Sequence, residues 1–121
     1  MAEFHETGKK GEELAASHLE KNGYQILEKN WRSGPNEIDI IAQNGDILVV
    51  VEVKTRRTNY FGEPEEFVTK NKQKLLVKAA NNYVLKNKID NEVRFDIISI
   101  LYKGEQYKIY HIEDAFYPAL S

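Results

Sequence analysis

Four ionisable side chains lie close together in two neighbouring apolar segments. Glu37 and Asp39 fall in a run rich in isoleucine, and Glu52 and Lys54 fall in a following run rich in valine. Three carboxylates gathered at one end of a covered strand pair repel one another unless a cation or a raised pKa relieves them. The types and spacing of these residues therefore predict a site for a divalent cation.

Magnesium suits such a site, because it takes oxygen ligands and keeps several waters when only two or three carboxylates are supplied. A retained water is a potential nucleophile. Lys54, two residues beyond Glu52 on the same strand face, is placed to orient or deprotonate that water and to neutralise charge developing on a phosphate. The alternative is a solvated hairpin face, on which Glu52 and Lys54 form a surface ion pair worth less than about 1 kcal/mol.

Two further polar side chains are predicted to point toward the sheet from helices. Glu12 lies about 20° from Leu19 around the first helix, at the edge of its apolar stripe. It is either a further carboxylate of the site or an acid that stabilises the helix start. Gln73 lies on the apolar stripe of the second helix, where it either binds a phosphate, water or carboxylate or is satisfied by backbone at the helix start.

Basic residues concentrate after the second apolar run. The stretch from Phe67 to Ile89 carries six lysines and no acid. The candidate phosphate contacts are Arg56, Arg57, Lys70, Lys72 and Lys74, and the alternative is a solvated helix face. In the intervening loop, residues 56–66, Tyr60 and Phe61 either stack on a base or dock on the core.

A β-hairpin is predicted to position the carboxylates, because Asn44-Gly45 between two β-branched runs signals a two-residue loop. With that loop, Gln43 pairs with Asp46, Asp39 faces Val50, and Glu37 faces Glu52. Period-two alternation then gives two faces. One carries Glu37, Asp39, Ile41, Leu48, Val50, Glu52 and Lys54, and the other carries Ile38, Ile40, Ala42, Ile47, Val49, Val51 and Val53.

The remaining elements follow from capping residues and hydrophobic periodicity. Thr7 and Gly23 predict a first helix over about 8–22, and Thr69 opens a second helix with Leu76, Val77, Ala80 and Val84 on one stripe. Strands are predicted over 24–31, 93–102 and 106–112. The order αβββαββ predicts an α+β domain of the α/β/α sandwich type, with a central mixed sheet in one unit over residues 1–121.

Composition excludes several classes of protein. The 121 residues carry 17 basic and 19 acidic side chains, a net charge of −2, which argues against an indiscriminate nucleic-acid binder. There is no cysteine, which excludes thiolate zinc sites and cysteine nucleophiles. The first residues lack an apolar signal region and the longest apolar run, 47–51, cannot span a bilayer, so we expect a cytoplasmic protein without a membrane partner.

Several segments resemble nuclease sequences. Asp39 followed by Glu52-Val53-Lys54 resembles the PD-(D/E)xK pattern of restriction-endonuclease-like nucleases, with residues 36–39 in place of the PD element. Over nearly the whole chain the sequence resembles the bacterial YraN family of small endonuclease-like proteins. The matching segments are Gly8-x-x-Gly11-Glu12-x-x-Ala15, Gly23-Tyr24, Glu37-Ile38-Asp39-Ile40-Ile41-Ala42, Val51 to Arg56, Lys72-Gln73, Arg94-Phe95-Asp96 and His111-Ile112-x-x-Ala115-Phe116.

The resemblance implies a restriction-endonuclease-like core similar to archaeal Holliday-junction resolvases. It assigns Asp39, Glu52 and Lys54 as the catalytic core and Glu12 as a further acidic ligand. The chain departs from the family pattern at Gly34-Pro35-Asn36, where a second glycine is expected and Pro35 restricts the approach to the strand.

Two functions follow as hypotheses. The first is a Mg²⁺- or Mn²⁺-dependent nuclease that hydrolyses phosphodiester bonds of DNA, on branched or single-strand-containing substrates, with Glu37 and Gln73 as auxiliary residues. The alternative is a nuclease-fold module that binds nucleic acid or an assembly partner without turnover. The apolar residues Phe116, Tyr117 and Leu120 serve either the core or the interface of a homodimer.

Overall fold

Two helices and five strands follow one another in the order αβββαββ, as predicted. The structure is a computed structural model that describes residues 2–57 and 68–118, with the side chains of residues 2–8 left out of the description. The elements are α1 (Ala2–Lys21), β1 (Gln25–Ser33), β2 (Asn36–Asn44), β3 (Ile47–Arg57), α2 (Lys70–Lys86), β4 (Glu92–Lys103) and β5 (Gln106–Phe116). The loop residues Tyr60 and Phe61 and the terminal Leu120 lie outside the described residues.

The five strands form one mixed sheet whose spatial order is the order of the chain, β1-β2-β3-β4-β5. Strands β1, β2 and β3 form an antiparallel meander, and β4 and β5 form an antiparallel hairpin. The two units meet at β3 and β4, which pair in parallel. A parallel pair needs a crossover connection, and α2 lies within it. The predicted α+β fold with a central mixed sheet is therefore confirmed.

The sheet is covered on both faces, as the two apolar faces of the first hairpin predicted. Side chains from one face, among them Ile41, Val50 and Ile97, form one apolar cluster with Leu76 of α2. Side chains from the other face, among them Ile40, Val49 and Ile98, form a second apolar cluster with Leu19 of α1. Two apolar layers therefore enclose the central strands.

The helix ends test the predicted caps. Thr69 caps α2, since its hydroxyl accepts a hydrogen bond from the Lys72 N–H at 3.1 Å. Gly23 ends α1 with a φ of 86°, a value that favours glycine. The predicted start at Thr7 is wrong, because α1 already begins at Ala2, and residues 2–7 contain no glycine or proline that would stop a helix. In α2 the buried stripe is Leu76, Ala79, Ala80 and Tyr83, whereas Val77 and Val84 are only partly buried.

The register of the first hairpin differs from the prediction by two residues. Asn44 pairs with Ile47, so the loop consists of Gly45 and Asp46, and Gly45 adopts a φ of 61°. A glycine at the first position of a two-residue loop is one of the favoured hairpin solutions. Ile41 pairs with Val50, so the predicted pairs Asp39 with Val50 and Glu37 with Glu52 are wrong.

A second correction concerns Ile38. It packs in the α2-side cluster, whereas Ile40 packs in the α1-side cluster, so the alternation of faces breaks between them at Asp39. Opposite this point on β1, Asn30 has a φ of 51°, and the flanking residues pair as Lys29 with Ile40 and Trp31 with Ile38. The two strands are therefore irregular together at Asn30 and Asp39.

The terminal aromatic residues are predicted to serve the core or an interface, and the chain is predicted to lack a membrane span. Phe116 is buried and stacks on Phe95 with ring centroids 5.1 Å apart, so it belongs to the core, whereas Tyr117 is exposed. Within the described residues, no helix combines the length and the apolar character that crossing a membrane requires.

Candidate functional site

Asp39 lies where β2 separates from β3. The last paired residues are Ile40 and Val51, and the Val53 N–H donates a 2.8 Å hydrogen bond to Asp39 Oδ2 instead of continuing the backbone ladder. The Asp39 carboxyl group is thereby fixed against the strand that carries Glu52 and Lys54.

The Asp39 and Glu52 carboxyl groups lie close enough for the charge of one to act on the other. Burial, followed by the charge of Glu52, raises the pKa of Asp39 from 3.8 to about 8, although the Val53 N–H and Lys72 act in the opposite direction. Two carboxylates in one buried site do not both ionise easily unless a cation is present. The pair therefore favours either a shared proton or a bound cation.

Glu52 is a buried carboxylate whose hydrogen bonding is incomplete among the described residues. Its side chain is 6% exposed, and Lys72 Nζ on α2 lies 3.6 Å from Oε2, too far for a hydrogen bond. Oε2 is buried and has no hydrogen-bond partner within the described part of the chain. A buried carboxylate oxygen without a partner is costly, and a cation beside it would remove that cost.

Lys54 lies one step further along the same face of β3. Glu52 stands beside Ile97 of β4 and Lys54 stands beside Ser99, so the two β3 side chains occupy successive rows across the sheet. Lys54 is half-buried and makes no ion pair within residues 2–57 and 68–118. Its ammonium group remains available to a bound anion beside Glu52.

Glu12 and Glu37 meet at Asn30 rather than at Glu52. With its amide nitrogen facing the two acids, Asn30 donates to Glu12 Oε2 at 3.2 Å and to Glu37 Oε1 at 2.8 Å. Burial, and then the charge of Asp39, raise the pKa of Glu12, so Glu12 and Asp39 repel each other electrostatically. Glu37 also pairs with Arg32 at 3.1 Å. Sequence reasoning missed Asn30, for which the available signal was the tolerance of asparagine for positive φ.

Gly11 sets how closely α1 approaches the sheet beside Glu12. A Cβ atom built on Gly11 would collide with Thr55 Oγ1 on β3. Only glycine permits this distance between helix and strand. Gly11 therefore helps to hold Glu12 near the carboxylates of the sheet.

The chemistry of the donor set fits a hard divalent cation. Asp39 and Glu52 supply oxygen ligands, and Mg²⁺ commonly uses one or two carboxylates while water and substrate phosphate complete its shell. No group of three or more acidic, histidine or cysteine side chains is already arranged around a common metal position in the described segments. The structure brings Asp39 and Glu52 together, and Glu12 lies at Asn30 rather than with this pair.

The other predicted binding residues are distributed around this pair. Gln73 donates to the Val68 carbonyl at 3.2 Å, which is the backbone-satisfied alternative. Lys72 faces Glu52, whereas Lys70 and Lys74 are exposed on the first two turns of α2. Arg56 donates from Nη1 to the Thr55 carbonyl at 2.9 Å, and Arg57 is exposed at the end of β3.

A second polar cluster lies on the α1 side of the sheet, away from Glu52, and sequence reasoning did not assign it. The buried Asp96 carboxylate accepts two 2.8 Å hydrogen bonds from Arg94 and lies 2.7 Å from His111 Nε2. Arg94 also donates to the Tyr24 hydroxyl at 2.7 Å. His18, Tyr24 and His111 help to line a cavity of about 480 Å³ beside this cluster. The cluster ties β4 and β5 to the end of α1.

Comparison with known proteins gives a consistent result. A model of the uncharacterised protein family UPF0102 matches residues 11–100. A UPF0102 protein of Flavobacterium psychrophilum is 54% identical over 117 residues, covering 97% of this chain and 98% of the relative. A UPF0102 protein of Bacteroides thetaiotaomicron is 48% identical over 120 residues, covering 99% of both chains. These matches confirm the resemblance to YraN-like proteins at the level of the family.

Proposed function

The chain belongs to the uncharacterised protein family UPF0102, and from its carboxylate site we propose that it is a Mg²⁺- or Mn²⁺-dependent nuclease acting on DNA. The observation that carries the proposal is the juxtaposition of Asp39 with Glu52, whose buried Oε2 has no hydrogen-bond partner among residues 2–57 and 68–118. The PD-(D/E)xK resemblance of the same residues supports it.

Asp39 and Glu52 would hold the cation, with Glu12 as the third acidic group. A bound Mg²⁺ would lower the pKa of a coordinated water and neutralise charge on the phosphate. Within the protein, the Val53 N–H keeps the Asp39 carboxyl group in place, so the ligand geometry does not depend on a mobile side chain.

Lys54 would place a positive charge beside the scissile phosphate and orient the attacking water. The Lys72 ammonium group lies near Glu52 and partly balances its negative charge, which a bound metal ion would neutralise instead. The Lys72 side chain is 37% exposed. When a cation neutralises Glu52, Lys72 becomes free to contact a substrate phosphate. Arg57, Lys70 and Lys74 extend the basic surface around this position.

The test is cleavage of labelled Holliday junctions, flaps and single strands by purified protein with Mg²⁺ or Mn²⁺. We expect cleavage by the wild type, and losses of at least about 100-fold in Asp39→Ala, Glu52→Ala and Lys54→Ala, as for groups that stabilise a transition state. Glu20→Ala, an exposed acid on α1, serves as the matched control and should cleave normally.

The alternative function, a nuclease-fold module that binds without turnover, makes a different prediction. Such a module cleaves none of these substrates with either metal, and Lys54→Ala leaves its cellular function intact. That combination of results would overturn the nuclease proposal.

A further inference from the structure

The sheet face that carries Glu52 and Lys54 continues across β4 onto β5. Lys54 pairs with Ser99, and Ser99 pairs with Tyr110. Paired residues project from the same face of a sheet, so these three side chains form one row. The row lies directly beside the row that contains Glu52, Ile97 and Ile112.

Tyr110 stands out in this row because it is a large ring on an edge strand and is 44% exposed. With strands about 4.8 Å apart and a rise of about 3.3 Å per residue, its Cα lies about 12 Å from that of Glu52. The ring also borders a hollow of about 200 Å³ at the end of the β4–β5 hairpin. One part of this aromatic surface is therefore open to a ligand.

Positively charged side chains also border this hollow. Lys103 and Lys108 line the same hollow, and both are exposed. Neither lysine forms an ion pair with another residue of the described segments. An exposed aromatic ring flanked by unpaired lysines is the pattern that binds single-stranded nucleic acid, because bases stack on the ring and phosphates contact the cations.

We propose that the Tyr110 surface, formed by Tyr110, Lys103 and Lys108, binds an unpaired strand of the substrate beside the carboxylate site. One base stacks on Tyr110, and the lysines contact neighbouring phosphates. A base inside a duplex is already stacked on both sides, so the surface selects substrates with a single-stranded portion. This inference rests on the proposed nuclease function and specifies its substrate class.

The test is fluorescence anisotropy of the full chain with a short labelled oligothymidine in EDTA, which prevents metal-dependent cleavage. We expect Tyr110→Ala to weaken binding about 5- to 150-fold, the range of base–aromatic stacking, and Tyr110→Phe to retain it. Lys108→Ala should reduce the slope of log affinity against log salt by about one.

Tyr117→Ala is the matched control, because Tyr117 is 72% exposed but follows the opposite end of β5. Its affinity for oligothymidine should equal that of the wild type. The inference is overturned if Tyr110→Ala binds as the wild type does, if Tyr117→Ala loses as much, or if the wild type does not bind the oligonucleotide.

The two proposals fail separately. Cleavage of a flap by the wild type together with unchanged oligothymidine binding by Tyr110→Ala overturns the Tyr110 surface alone. Tyr110-dependent binding by a protein that cleaves nothing with Mg²⁺ or Mn²⁺ overturns the nuclease and leaves the binding surface.

Discussion

The Val53 N–H donates its hydrogen bond to the Asp39 carboxylate, so a side chain ends the backbone ladder between β2 and β3. Asp39 is thus held by the strand that presents Glu52. This hydrogen bond from the strand that carries Glu52 opposes movement of Asp39 away from Glu52 when both become charged. The site therefore keeps its two acids together in the absence of metal.

This arrangement makes the stability of the metal-free protein depend on Asp39. Its pKa is raised in the folded state from 3.8 to about 8, so the folded state binds more protons than the unfolded state between these values. Stability should fall as pH rises through that window. The Asp39→Asn variant has no carboxyl group to ionise at this position. As pH rises from 3.8 to about 8, its free energy of unfolding should therefore increase by at least about 1 kcal/mol relative to that of the wild type. Urea unfolding of both proteins near pH 4 and near pH 8 measures this change. If the free energies of unfolding of the two proteins change equally with pH, the expectation is contradicted.

Metal binding should show the opposite dependence on the same residue. Mn²⁺ titrated calorimetrically into the wild type should give one stoichiometric site whose affinity rises with pH, because metal and proton compete for the carboxylates. Asp39→Ala and Glu52→Ala should lose that site, and Glu20→Ala should keep it. Unchanged binding in either site variant would refute the assignment of ligands.

Gly11→Ala tests the contact between α1 and β3. The added methyl group meets Thr55 Oγ1, and overpacking of this kind costs about 1–3 kcal/mol, partly offset by the helix propensity of alanine, about 1 kcal/mol. Chemical denaturation should therefore show a net loss of stability, and adding Thr55→Ala should recover part of it. Ser17→Ala, at an exposed position of α1, is the control. A Gly11→Ala variant more stable than the wild type would show that the helix has room to move.

The buried Asp96 carboxylate should contribute strongly to the stability of the fold. Asp96→Ala removes the two short hydrogen bonds that the Arg94 guanidinium, 15% exposed, makes to a buried carboxylate, and breaking a buried pair costs about 3–5 kcal/mol. Arg94 keeps the Tyr24 hydroxyl and the exposed Glu113 at 3.9 Å, so we expect a cost toward the lower end of that range. Burial pushes the pKa of Asp96 upward, but hydrogen bonds from His111, Arg94 and the Asp114 N–H outweigh it and hold the pKa below 3.8. This contribution is therefore present above pH 3.8 and is lost as the pH falls through the lower folded-state value. If the wild type and Asp96→Ala differ by the same free energy of unfolding at neutral pH and in strong acid, the pairing is contradicted.

The sequence predicted the elements well, because their signals are local. Thr69 and Gly23 were identified as caps from residue type, and the two apolar faces of the hairpin followed from alternation. The hairpin register was wrong by two residues because a shift of two leaves every side chain on its face, and alternation alone cannot detect it.

The details of the site depend on contacts that local patterns do not encode. The irregular backbone at Asn30 and Asp39 turns Ile38 to the α2 side and Glu37 toward Asn30. The Asp96 cluster joins Tyr24 to Arg94, which are 70 residues apart in the chain. Such pairings become visible only when the strand order is known.

The match between strand order and chain order also has a consequence for folding. Both carboxylates of the Asp39 and Glu52 pair belong to the β1–β3 meander, whose pairings join residues close in sequence, whereas the β3–β4 pairing closes a long loop. Contacts of short sequence separation form faster than those that close long loops. The two acids should therefore meet early, within a nascent meander still open to water, and become buried when β4 docks.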